Sequence, residues 1–179
     1  MQIHLTATPD DHRIAKLAAA AIGLTLVEAA LPSPIPGVKP GLANIITLAV
    51  LTRFGLRAAI WVGLLRVVAG SLLIGTFLSP TFFLSFAGAL TSLAALAAAH
   101  TLPARLFGPV TYSVLAAFAH LGGQLALVYF WLIPHAGVAY LLPLFAGAAL
   151  LFGTLNGIAA AYLLARLPET DSPLTCAQH

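Results

Sequence analysis

Arg105 is the only charged residue between Arg66 and Arg166. A chain with so few charges over such a length has little freedom in water. In lipid every backbone polar group must be paired within the protein, which leaves helices or a closed barrel. Apolar runs near the ~20 residues that a crossing helix needs, separated by Pro, Gly and charged clusters, select helices. Composition agrees, with 60% hydrophobic and 7% charged residues against about 25% charged in soluble domains. Mean hydropathy is +1.00. Too little polar surface exists to coat a globule, so the expected class is an all-α integral membrane protein.

Several other classes drop out. The net charge of +3 comes from basic residues spread singly, which form no stripe for nucleic acid. Cys176, the single cysteine, lies in a polar tail; this excludes an internal disulfide and a multi-cysteine metal site. The chain has no P-loop, no HExxH and no paired DDxxD. Asp10 and Asp11 are adjacent, without a second acidic motif to share a magnesium. No metal, no cofactor and no enzymatic activity of its own are therefore expected. The first apolar run has the basic start of a secretory signal, but Glu28 interrupts it and further spans follow, so it reads as a retained span.

Six spans are expected, near 14–31, 42–53, 56–78, 81–99, 109–132 and 139–165, in a membrane domain of 14–165 between polar tails 1–13 and 166–179. The run 42–53 is too short. Twelve residues cover about 18 Å of a hydrocarbon core near 30 Å. The Pro-rich stretch 32–41 should then dip into the membrane, which non-helical backbone tolerates only against protein or a cavity. Arg13, Lys16, Arg53, Arg57, Arg105 and Arg166 fall on one side if six helices alternate. By the positive-inside rule both termini face the cytoplasm, which in a bacterium means the inner membrane. Tyr129, Trp131 and Tyr140 would mark the outer interface, and Tyr112 and Tyr162 the inner one.

Polar residues inside the spans are the candidate site. Glu28, Asn44, Arg66, His120 and Gln124, with Lys39 on the loop, all fall at the midplane or outward of it. A central arginine costs about 2.5–3.5 kcal/mol to insert and should face a partner or a wet cavity. Convergence of these six on one outward-facing pocket for a small polar or anionic solute explains them together. Each also has a plainer reading. Lys39 would serve as an interfacial anchor, Arg66 as an ion pair with Glu28, Asn44 as a backbone partner, and His120 and Gln124 as contacts between helices. Asn156 reads as packing, and His100 and His135 as solvated. Ala15, Ala19 and Gly23 form a smooth face, either packed on 139–165 or open to a partner membrane subunit.

The run "IPGVKPGLANIITL", Glu28, "LLRVVAGSLLIGTFLSPTFFLSFAGALTS" at 64–92, "AHLGGQ" at 119–124 and "YLLPLFAGAALLFGTLNG" at 140–157 resemble the Gx transporter family, also called heptaprenyl diphosphate synthase component I. That family is similar to the substrate-binding S components of energy-coupling factor (ECF) vitamin transporters. A His-Asn-x-Gly-Gln pattern of the family is kept at His120, Gly123 and Gln124 and lost at Leu121. The resemblance covers about 14–165. It implies an S-component-like bundle of six helices whose first outer loop caps the substrate pocket, with Pro34, Pro36, Gly37 and Lys39 as the gate. It further implies capture of a vitamin-like micronutrient, with release driven by a coupling subunit and two ABC ATPases. Two other classes stay open: a non-catalytic membrane subunit of isoprenoid or quinone metabolism, and a scaffold of a membrane redox assembly. The scaffold should hold buried ion pairs and no cavity.

Overall fold

A computed structural model describes residues 9–30, 41, 43–101 and 108–166. Lys39, Pro34, Pro36 and Gly37, together with Arg105, lie outside the described residues. The described chain is helical throughout: α1 (Pro9–Ala30), α2 (Ala43–Ile74), α3 (Pro80–His100), α4 (Pro109–Leu127) and α5 (Leu142–Arg166). α4 runs on into a π-helical turn, Val128–Leu132, and a 3-10 turn, Ala136–Leu141, leads into α5. Local sequence sets several boundaries. Ser79 caps α3, its hydroxyl accepting from the Phe82 N–H, with Pro80 in the first turn where its missing N–H is harmless. The His135 side chain accepts from the Gly137 N–H and starts the 3-10 turn.

Among the described residues four helices are long and apolar enough to cross a membrane: Asn44–Ile74, Pro80–His100, Pro109–Leu132 and Gly137–Arg166. The chain is a membrane protein. The expected count of six spans is not what the structure gives, for two reasons. α1 begins at Pro9, earlier than expected, and carries charged residues at both ends. The expected helices 42–53 and 56–78 are the two halves of α2, parted at Gly55 with φ 80° and ψ 179°, and the first half is too short to cross alone.

That break turns the chain back. Gly70 packs so closely on α1 that an added Cβ would meet Thr25 Cγ2 at 3.3 Å. One turn further along α1, the Glu28 carboxylate accepts from the Gly41 N–H, and Gly41 O accepts from the Asn44 N–H at 2.8 Å. Asn44 and Gly70 therefore lie against the same end of α1. They are 26 positions apart, about 39 Å along a straight helix. Only a fold-back at Gly55 brings them together.

Packing is tightest where glycines meet neighbouring backbones. A Cβ at Gly123 would fall 2.2 Å from Thr91 Oγ1, and one at Gly157 would fall 2.6 Å from Val110 Cα. Thr91 Oγ1 donates across this contact to Ala119 O at 2.8 Å, so a hydrogen bond joins α3 to α4 where the small residues permit approach. α4 is thus pinned to α3 on one side and to α5 on the other. Gly157→Ala should destabilise the protein by about 1–3 kcal/mol, because the clash is with backbone that cannot rotate away. An unchanged thermal midpoint in detergent would refute this contact.

The core contains Ala21, Leu48, Val50, Val62, Leu96, Ala116 and Ala160, near the fold-back end. Tyr112 is part of it and buried, not interfacial as expected, because α4 presents that position to the bundle. Tyr162 is exposed, with the Arg166 guanidinium 4.5 Å from its ring centre. Tyr129, Trp131 and Tyr140 are exposed, as are His100 and His135. Ala15, Ala19 and Gly23 face outward, while the neighbouring Ala18 and Ala21 are buried. α1 packs on α2, so the small-residue face is not filled by α5. Gly157 packs on α4 instead.

Candidate functional site: a cavity with a polar floor

A partly enclosed cavity of about 460 Å³ is lined by all five helices and by Gly41. Glu28, Asn44, Arg66, His120 and Gln124 all line it. Residues from three helices, far apart in sequence, thus share one space. The sixth candidate, Lys39, lies outside the described residues.

Glu28 is buried, and its carboxylate is engaged by the Gly41 N–H. Gly41 is held from its other side too, its carbonyl accepting from Asn156 Nδ2 at 3.3 Å and from the Asn44 N–H. Its φ of +71° is a backbone conformation that glycine adopts without strain. One residue therefore ties the end of α1, the start of α2 and the middle of α5. Asn156 lies 14 positions beyond Leu142, about 21 Å along α5. Gly41 is thus well inside the bundle, as the short first half of α2 requires.

Arg66 lies in the second half of α2, within electrostatic reach of Glu28 and His120. Its side chain lines the cavity. A guanidinium carries five donors in a rigid fork suited to carboxylate or phosphate. The His120 ring sits over Gly88, where an added Cβ would approach Nε2 to 2.6 Å. A glycine at that position makes room for the imidazole at the wall. Gln124 follows one turn later on the same face of α4. Asn44 marks the start of α2 through its bond to Gly41.

Sequence reasoning missed part of the lining. Asn156, read as packing, is buried, borders the cavity and clamps Gly41. The signal was available: an amide inside a long apolar run needs a partner. Thr25, Ser71 and the aromatic wall of Phe82, Phe145 and Phe152 were also missed. Nothing distinguishes those residues from lipid-facing ones in a uniformly apolar sequence.

Apolar helices around a polar-floored cavity in the size range of small-molecule pockets, about 300–1,000 Å³, define a multi-helix membrane protein with an internal site. The match of residues 17–163 to the family described as heptaprenyl diphosphate synthase component I makes the chain a member of that family. No curated protein and no solved structure shows significant similarity to it.

Proposed function

We propose that the protein is the solute-binding membrane subunit of an uptake system for a small, anionic, vitamin-like micronutrient, resembling an ECF S component. The carrying observation is that Arg66, a cation within an apolar helix, lines the cavity together with Glu28, Asn44, His120 and Gln124. In this reading Arg66 and Lys39 attract the anion, and Asn44, His120 and Gln124 complete the pocket. Glu28 contributes by holding Gly41 at its edge. The loop with Pro34, Pro36, Gly37 and Lys39 acts as the gate.

The chain acts without chemistry of its own, and ATP is used by partners. A coupling subunit with two ABC ATPases would dock on the outward face of α1 at Ala15, Ala19 and Gly23, with lipid covering the rest. The placement proposed is the bacterial inner membrane with both termini cytoplasmic. Lys16, Arg53, Arg57 and Arg166 support it, since they cluster at helix starts and ends away from the cavity.

Arg66→Ala and Lys39→Ala should each lose at least about tenfold in affinity, the scale of a hydrogen bond to a charged group, with membrane insertion unchanged. Native mass spectrometry of the gently purified wild type should show a bound small anion that both variants lack. Unchanged retention would sink the assignment.

The family description favours a second reading, in which the chain is the non-catalytic membrane component of a prenyl diphosphate synthase. Co-purification with a soluble prenyl synthase, and restored synthase activity on mixing, would establish it. The scaffold reading is disfavoured by the cavity, which it does not need.

A further inference from the structure

We propose that the solute is a small amphiphile, its anionic group seated at the Arg66 end of the cavity and its apolar body against the aromatic wall. This rests on the anion-binding reading above and adds the chemical character of what binds.

The ionisable and amide lining residues are separated along the helices from the aromatic ones, with Thr76, Thr81 and Ser85 adding hydroxyls at the aromatic end. On α2, Arg66 lies eight positions before Ile74; on α4, His120 lies eight before Val128. On α5, Asn156 lies eleven positions after Phe145. At ~1.5 Å per residue these offsets are about 12, 12 and 16 Å. Connectivity puts the apolar members at one end. Ile74 closes α2, Phe82 sits in the first turn of α3, Val128 follows α4, and Phe145 opens α5. The charged floor and the apolar wall are therefore different ends of one space.

The wall is firm. Phe82 stacks on Phe86 at 5.7 Å between ring centroids and is flanked by Phe77 at 5.0 Å and Phe83 at 5.4 Å. A hydrophilic anion filling this space would lose water along a surface that offers only the hydroxyls of Thr76, Thr81 and Ser85 in return. A wholly apolar molecule would leave the guanidinium facing hydrocarbon. A carboxylate, phosphate or sulfonate carried on a ring or short chain satisfies both ends, entering head first.

The test uses the full chain in lipid nanodiscs with radiolabelled 2-naphthoate as probe and empty nanodiscs to subtract partitioning. One saturable site per chain is expected. Inorganic phosphate and succinate should fail to displace the probe, and the neutral 2-naphthamide should compete at least tenfold more weakly than unlabelled naphthoate. Phe145→Ser and Phe152→Ser should each weaken binding about tenfold. No saturable naphthoate binding, or displacement by phosphate or succinate as effective as by naphthoate, overturns the proposal; the second result leaves the anion site standing. Equal competition by 2-naphthamide, with binding unchanged in Arg66→Gln, removes the anion reading and this proposal with it. The competition arms use the wild-type chain, so a variant that fails to fold does not decide the outcome.

Discussion

Gly55→Ala should cost the protein its folded, monodisperse state. The φ of 80° and ψ of 179° at Gly55 fall in a region that is essentially glycine-only, where a side chain adds about 1–3 kcal/mol of strain. No neighbour would obstruct the new Cβ, since nothing lies within 4 Å of it. The effect is therefore one of backbone conformation alone. Alanine is also the best helix former, so the substitution favours a continuous straight α2 over the fold-back. A straight α2 would carry Asn44 away from Gly70 and Glu28 and open the cavity. A cysteine pair at 44 and 70, made in a Cys176→Ser background, should be joined by a short cross-linker in the parent and not in the Gly55→Ala chain. Equal cross-linking and an equal unfolding midpoint would show that the fold-back does not depend on glycine at position 55.

Glu28→Ala should be nearly as damaging, and Glu28→Gln distinctly less so. Alanine removes the acceptor of the Gly41 N–H and the carboxylate facing Arg66. A lost hydrogen bond to a charged group is worth about 1.5–3 kcal/mol, and the arginine left behind has one fewer counter-charge. Glutamine keeps an acceptor oxygen for Gly41 and loses only the charge. Hydrogen exchange read by mass spectrometry should show the peptide containing Gly41 exchanging faster in Glu28→Ala, with partial protection in Glu28→Gln. Identical exchange in all three proteins would mean that Glu28 does not hold Gly41.

The membrane class was readable because it depends on composition, and the polar cluster because each polar group in lipid must be accounted for. Arg66, His120 and Gln124 stand out against apolar neighbours in this way, and the structure brings them beside Glu28 and Asn44. The count of spans was less readable. Hydropathy marks where helices lie, but the first half of α2, ended by the turn at Gly55, is too short to cross alone, and α1 carries charged residues at both ends. The place of Asn156 at the cavity and of Tyr112 in the core was not readable because depth along a helix does not say which neighbour a side chain meets. The choice between lipid, cavity and core is made by the rotation of the helix, here set by Gly123, Gly153 and Gly157 seating α4 between its neighbours.

The clamp on Gly41 also bears on how such a protein can diverge. The anchored groups at position 41 are its N–H and C=O, which every residue but proline possesses, while the φ of +71° favours glycine. Substitution there offers selection nothing to gain. The strength of the tether is instead encoded at two distant sites, 28 and 156, on helices whose other duties are different. Changes to the aromatic wall would leave this attachment at the charged floor untouched, since none of its three residues belongs to the wall.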